Sequence, residues 1–141
     1  MSAYLLDTNI LSEIRKGPLR ANQATYQWWL SMRNEEVFLS VMTLGEIRKG
    51  IDRLRAKDIS QSLILDRWFE EIKTTFASHL LEITPNIAEC WGQLQAVRPL
   101  PDVDALIAAT AIQHDLILVT RNEGDFTGLG LHIVNPFNIQ E

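Results

Sequence analysis

Apolar residues recur along this chain in two rhythms: short runs bounded by polar residues, and longer stretches repeating every three to four positions. The short runs read as strands and the long stretches as amphipathic helices. Residues 3 to 6 form the first run, and Asp7, Thr8 and Asn9 then offer capping side chains ahead of Ile10, Leu11 and Ile14. A helix over residues 21 to 33 carries Trp28, Trp29 and Leu30, and Asn34 to Glu36 break it before the strand of Val37, Phe38 and Leu39. Leu44, Ile47, Ile51 and Leu54 recur at helical spacing, which puts Glu46 off that apolar stripe at the start of the next helix. Leu65, Trp68, Phe69, Ile72 and Phe76 mark a helix over residues 60 to 77, followed by a strand over 80 to 83. Thr84 and Pro85 open a helix presenting Ile87, Trp91, Leu94 and Val97, and Pro99 and Pro101 end it, because proline rejects both the helix interior and a helical predecessor. An alanine-rich helix then starts near Asp102, with strands over 116 to 119 and 132 to 134 behind it. Strand and helix alternate throughout. That order predicts an α/β fold with a mostly parallel sheet, helices on both faces and ligands bound beyond the carboxyl ends of the strands.

Composition narrows the setting. A length of 141 residues suits one domain spanning the whole chain, and 46% hydrophobic with 22% charged residues suits a folded soluble protein. The N-terminus lacks the basic region and apolar core of a signal peptide, and no apolar run approaches the roughly 20 residues of a membrane span, so the expected location is the cytoplasm, with no membrane partner. Cys90 is the single cysteine, which excludes an internal disulfide and suits a core position. The net charge of −5 argues against a general nucleic-acid-binding surface. Its distribution qualifies that, because Arg48, Lys49, Arg53, Arg55 and Lys57 form a basic strip that reads either as a binding surface or as an ordinary solvated helix face.

Candidate chemistry lies in lone carboxylates. Asp7 follows the first apolar run, Glu46 follows Val37 to Val41, and Asp104 precedes Ala105 to Ala111. If the fold brings them within ~5 Å, each pair repels by roughly 3 kcal/mol at an effective dielectric near 20, a conflict that a hard divalent cation removes. Each acid also has a plain structural alternative. Asp7, Asp102 or Asp104 can cap a helix, and Glu46 can pair with Lys49 one turn on. His79, His114 and His132 lack metal-ligand spacing among themselves and carry no assigned chemistry.

Four segments in order, Tyr4 to Ser12, Thr43 to Ile47, Asp104 to Ala111 and Leu118 to Phe126, together with Asn135-Pro136-Phe137 near the end, resemble the PIN-domain family. More narrowly, they resemble its VapC-type and FitB-like toxins. The resemblance implies a three-layer α/β/α domain and a magnesium- or manganese-dependent endoribonuclease, the toxin half of a type II toxin-antitoxin pair. Asp7, Glu46 and Asp104 match the three family acids. Asp7 and Asp104 are then expected as direct metal ligands, with Glu46 binding metal directly or through water and assisting proton removal. Many relatives carry a further acid where this chain has Asn122; the expectation is that Asn122 orients the site and Asp125 acts as an outer ligand. Thr8 and Thr120 are expected to steady carboxylates or water through their hydroxyls. Implied partners are an RNA substrate, a cognate antitoxin, operator DNA reached only through that antitoxin, and a second copy of the chain. Trp28 and Trp29 are candidate antitoxin contacts. Two alternatives stand beside this reading. One is a PIN module weakened by Asn122 that serves mainly as antitoxin partner. The other is a phosphatase of the haloacid dehalogenase type, which wants a second Asp where Asn9 stands.

Overall fold

A computed structural model describes residues 2–139. Five parallel strands form the sheet: β1 (Ala3–Leu6), β2 (Glu36–Ser40), β3 (Leu80–Leu81), β4 (Ile117–Val119) and β5 (Ile133–Val134), in the order β3-β2-β1-β4-β5. Side chains alternate across a strand, so adjacent residues of β1 serve opposite faces. Leu6 joins the core of Ile10, Leu39, Ile47 and Phe69, whereas Leu5 joins Ile107, Ala108, Leu118 and Phe126. Both leucines are fully buried, each stabilising the fold by about 2 kcal/mol.

The first face is covered by α1 (Thr8–Ile14), α3 (Gln23–Ser31), α4 (Val41–Arg55) and α5 (Ile59–Thr75), with the short α2 (Gly17–Arg20) leading into α3. The second face is covered by α6 (Pro85–Val97), α7 (Asp102–His114) and the four-residue α8 (Glu123–Phe126). Three layers result, as the alternation of strands and helices predicts. The alanines of α7 explain its depth. Ala105, Ala108, Ala109 and Ala111 are buried, and only small side chains let a helix backbone lie this close to its neighbours.

The boundaries depart from the sequence reading in instructive places. The helix expected over 21 to 33 is shorter, Gln23–Ser31, because Asn22 caps α3 with its side chain on the Thr25 amide. Val97, expected on the apolar stripe of α6, is 85% exposed because the helix ends there. Glu46 does not open its helix. Ser40 caps α4 through the Met42 amide and the helix begins at Val41, so Glu46 sits one turn in. No helix among the described residues is long and apolar enough to cross a membrane.

The sheet order places the site. From β1 the chain steps outward to β2 and β3, then crosses back through α6 and α7 to add β4 and β5 on the other side of β1. The carboxyl ends of β1 and β4 therefore flank a topological switch point, where a parallel sheet leaves a crevice. The Asp7 amide donates to the Val119 carbonyl at 2.9 Å, which fixes the two strand ends side by side.

Candidate active site

Asp7 leaves the end of β1 directly into this crevice and is 4% exposed. Its Oδ1 accepts from the Thr8 amide at 2.8 Å, so it caps α1 as the plain alternative held. Its Oδ2 remains for other work. That oxygen accepts from the Thr120 hydroxyl at 2.8 Å and from the Asn9 amide nitrogen at 3.3 Å. Thr120 directly follows β4 and is fully buried, and its hydroxyl in turn accepts from the Asn122 amide at 3.0 Å. Capping and site formation coexist on one carboxylate.

Glu46 reaches the same crevice from α4. The Thr8 hydroxyl donates to its Oε1 at 2.6 Å and lies 3.3 Å from the hydroxyl of the buried Thr43. This hydrogen bond, rather than a pair with Lys49, orients Glu46. Asp104 arrives from the opposite face, in the first turn of α7, where Pro101 is the N-cap and no side chain caps the helix. Burial, then the charges of Asp7, Glu46 and Asp125, push its carboxyl up to about 6. Burial also raises Asp7, against the lowering by its Thr120 and Thr8 hydrogen bonds, and Glu46 adds to the rise. Three acids distant in sequence thus act on Asp104, and one of them, Glu46, also acts on Asp7.

The two residues considered for the fourth position play different parts. Asn122 contributes its backbone N–H to Thr120, while its exposed side chain lines an adjoining cavity. Asp125 contributes charge, adding the smallest of the upward pushes on Asp104. Its backbone carbonyl accepts from Arg98 Nη2 at 2.6 Å, which clamps α8 against the end of α6.

Some functional neighbours carried weak sequence signals. Asn9, which the sequence marks as a capping residue and as the place of the missing phosphatase Asp, also accepts from the Arg121 amide at 3.3 Å and so ties the ends of β1 and β4 together. Thr43 lies three residues before Glu46, a spacing that shares a helix face and was available to reasoning. Arg98 had none. Trp28 requires a correction as an antitoxin contact: at 9% exposure it packs in the core edge-on to Tyr4, with ring centroids 6.1 Å apart. Trp29 keeps a surface and lines a groove with Leu30, Met32 and Phe76. The basic strip is also reduced, since Arg48 and Arg55 are held by Asp66 and Asp52.

The donors in the crevice are hard carboxylate and hydroxyl oxygens. Among the described residues, no group of three acidic, imidazole or thiol side chains is arranged to enclose an ion directly. Mg²⁺ retains several of its waters and is usually bound through one or two carboxylates, so converging charge around an open centre suits it. The residues present fit a hydrated divalent cation.

A crevice of acids at this switch point coincides with a match to the PIN domain model over residues 4–129. The chain belongs to the PIN-domain family. Among its relatives is Toxin FitB of Neisseria gonorrhoeae, 31% identical over 95% of this chain and 98% of that protein. A VapC ribonuclease of Sinorhizobium fredii is 28% identical over 94% and 96% of the two chains. Of solved structures, FitAB bound to a DNA fragment superposes with a TM-score of 0.84 at 29% identity, covering 98% of each chain. A toxin-antitoxin complex from Klebsiella pneumoniae gives 0.71 at 28% identity, covering 98% of this chain and 100% of that one. These PIN proteins resemble this one along essentially its whole described length.

Proposed function

We propose that this PIN-domain protein is a Mg²⁺- or Mn²⁺-dependent endoribonuclease, the toxin of a toxin-antitoxin pair. The observation that supports the reading is that Thr120 holds Asp7 and Thr8 holds Glu46 at one crevice, while Asp104 is raised by burial first and then by the charges of Asp7, Glu46 and Asp125. The ribonuclease and toxin names of the similar proteins support the reaction class. A cognate antitoxin is the partner favoured by the likeness to a toxin-antitoxin complex, and operator DNA reached through that antitoxin is favoured by the DNA-bound relative. A homodimer completes the proposed assembly. Cytoplasmic location and a single domain over 1–141 remain part of the same proposal.

Asp7 and Asp104 would hold the ion, with Glu46 directly or through a water and Asp125 as the outer acid. Such an ion, when bound, acidifies water and offsets phosphodiester charge. The chain's own residues set the geometry. Thr120 fixes Asp7 Oδ2 and Thr8 fixes Glu46 Oε1, and in this reading the other Glu46 oxygen would take a proton from the attacking water. The Asn122 amide keeps Thr120 in its rotamer by donating to it, so that residue serves through its backbone whatever its side chain. Asp125 supports the catalytic reading over that of a weakened partner module, because it restores the charge that Asn122 lacks.

The test is purification free of antitoxin, incubation with total RNA and Mn²⁺ or Mg²⁺, and mapping of the new ends beside an Asp7→Asn control. The reading expects cleavage that leaves 5′-phosphates, stops with EDTA and is absent from the control. Identical products from the control would assign the activity to a contaminant.

A further inference from the structure

Beside the acids lies a cavity of about 510 Å³ whose walls come from the segment after β4 and from the C-terminal Asn135 to Asn138. Its volume falls within the few hundred to a thousand Å³ typical of small-ligand sites. The lining shares Asp125 with the acidic crevice and adds a cation, a ring and several amides. The Arg121 guanidinium stands 4.5 Å from the centroid of the Phe137 ring, making a cationic plane on an aromatic one. Around it stand amides: the exposed side chain of Asn122, and Asn135, whose Nδ2 donates to the Arg121 carbonyl at 3.3 Å and whose Oδ1 accepts from the Phe137 amide at 3.0 Å. Asn138 Nδ2 donates to Glu123 Oε2 at 3.2 Å, leaving its amide oxygen free to accept.

We infer that this cavity takes one unstacked base of single-stranded RNA, with Arg121 and Phe137 as the stacking platform and Asn122 and Asn138 reading its edge. Proteins capture splayed RNA bases by stacking on aromatic rings or arginine planes and by hydrogen bonds to their Watson–Crick and Hoogsteen edges. The cavity holds both kinds of group. Its carboxylates, Glu123 and Asp125, disfavour a phosphate there, so the base enters and the backbone stays over the acids. Connection to the crevice is short, since Asn122 lines the cavity while its amide bonds Thr120, the residue that holds Asp7. The base is therefore that of a nucleotide flanking the cleaved bond. This assignment of the flanking position rests on the ribonuclease reading, whereas base capture itself is testable without cleavage.

The experiment titrates full-length Asp7→Asn protein into single-stranded oligoribonucleotides carrying 2-aminopurine at each position in turn, which reports stacking as a loss of fluorescence. The same is done in Arg121→Gln and Phe137→Leu backgrounds, with thermal melts alongside. Arg121 is exposed, so its variant keeps the test valid if Phe137→Leu, whose ring also packs on the core, lowers stability. The expected result is quenching at a preferred position, with quenching lost and RNA affinity weakened about tenfold in Arg121→Gln. Unchanged affinity and quenching would overturn the inference. So would unchanged RNA binding with a weakened hold on antitoxin, which would give the cavity to the protein partner. Quenching that depends on Arg121, in a protein whose unmutated form cleaves no RNA, would support base capture while removing the ribonuclease reading.

Discussion

One helix, α4, serves two groups of charges that differ in kind. In its first half, Glu46 raises both Asp7 and Asp104 through its charge, and among the described residues no guanidinium or ammonium offsets either. Further along, Arg48 and Arg55 close on Asp66 of α5 at 2.7 and 2.8 Å and share Asp52. Hydrogen bonds from Arg48, then Arg55, hold the Asp66 carboxyl below the usual carboxylate range, whereas burial and like charge lift Asp104 to about 6. The same residue type on opposite faces of the sheet is paired with cations in one place and surrounded by like charge in the other. Paired charges position α4 against α5. Carboxylates raised by burial and like charge are a common mark of functional sites.

Several changes would break or sharpen that contrast. The largest effect is expected from Asp7→Asn, which removes a central acid and should reduce RNA cleavage by about a thousandfold or more, since metal-assisted charge stabilisation supplies several kcal/mol. Single-turnover cleavage against the unmutated protein measures it. Thr120→Val keeps the shape but removes the hydroxyl between Asp7 and Asn122, and a loss of 10- to 100-fold in activity or metal affinity is expected.

Smaller still is the stability response. A carboxyl raised in the fold binds its proton more readily than in the unfolded chain, so Asp104 stabilises fully below its ordinary value of 3.8. That contribution is lost as pH rises toward 6. Asp104→Asn should accordingly stabilise the metal-free protein at neutral pH by about 1 kcal/mol after solvent screening, and flatten its stability between these pH values. Denaturant melts at several pH values in EDTA decide this. Asp66 has the opposite sign. Its lowered carboxyl contributes above 3.8 and loses that contribution as pH falls, so Asp66→Asn should lower the melting temperature slightly at neutral pH while RNA cleavage stays intact. A cleavage defect in that variant would mean that the two regions are coupled through α4.

How far the sequence foretold this arrangement varies with the kind of signal. Strand and helix alternation was legible because Leu5, Leu6 and Leu39 must be buried and the α7 alanines suit close packing. The convergence of Asp7 and Asp104 was readable as charge at the edge of apolar runs. What escaped was set by tertiary detail. Helix starts at Asn22 and Ser40 depend on which side chain wins a free amide, and the division of labour between Asn122 and Asp125 depends on which group the turn into α8 aims at Asp104. Trp28 and Trp29 are adjacent in sequence, but a helix rotates neighbours by about 100°, so one fell into the core and the other onto a groove.

The central claim is that the acids of the crevice together hold a divalent cation, and Mn²⁺ titration of antitoxin-free protein by calorimetry tests it most directly. The account predicts saturable binding at pH 7 that weakens below pH 6 as Asp104 takes up a proton, with proton release on binding that grows as pH falls toward 6 and loss of the signal in Asp7→Asn. Binding that is absent, or equally strong in Asp7→Asn, would contradict it.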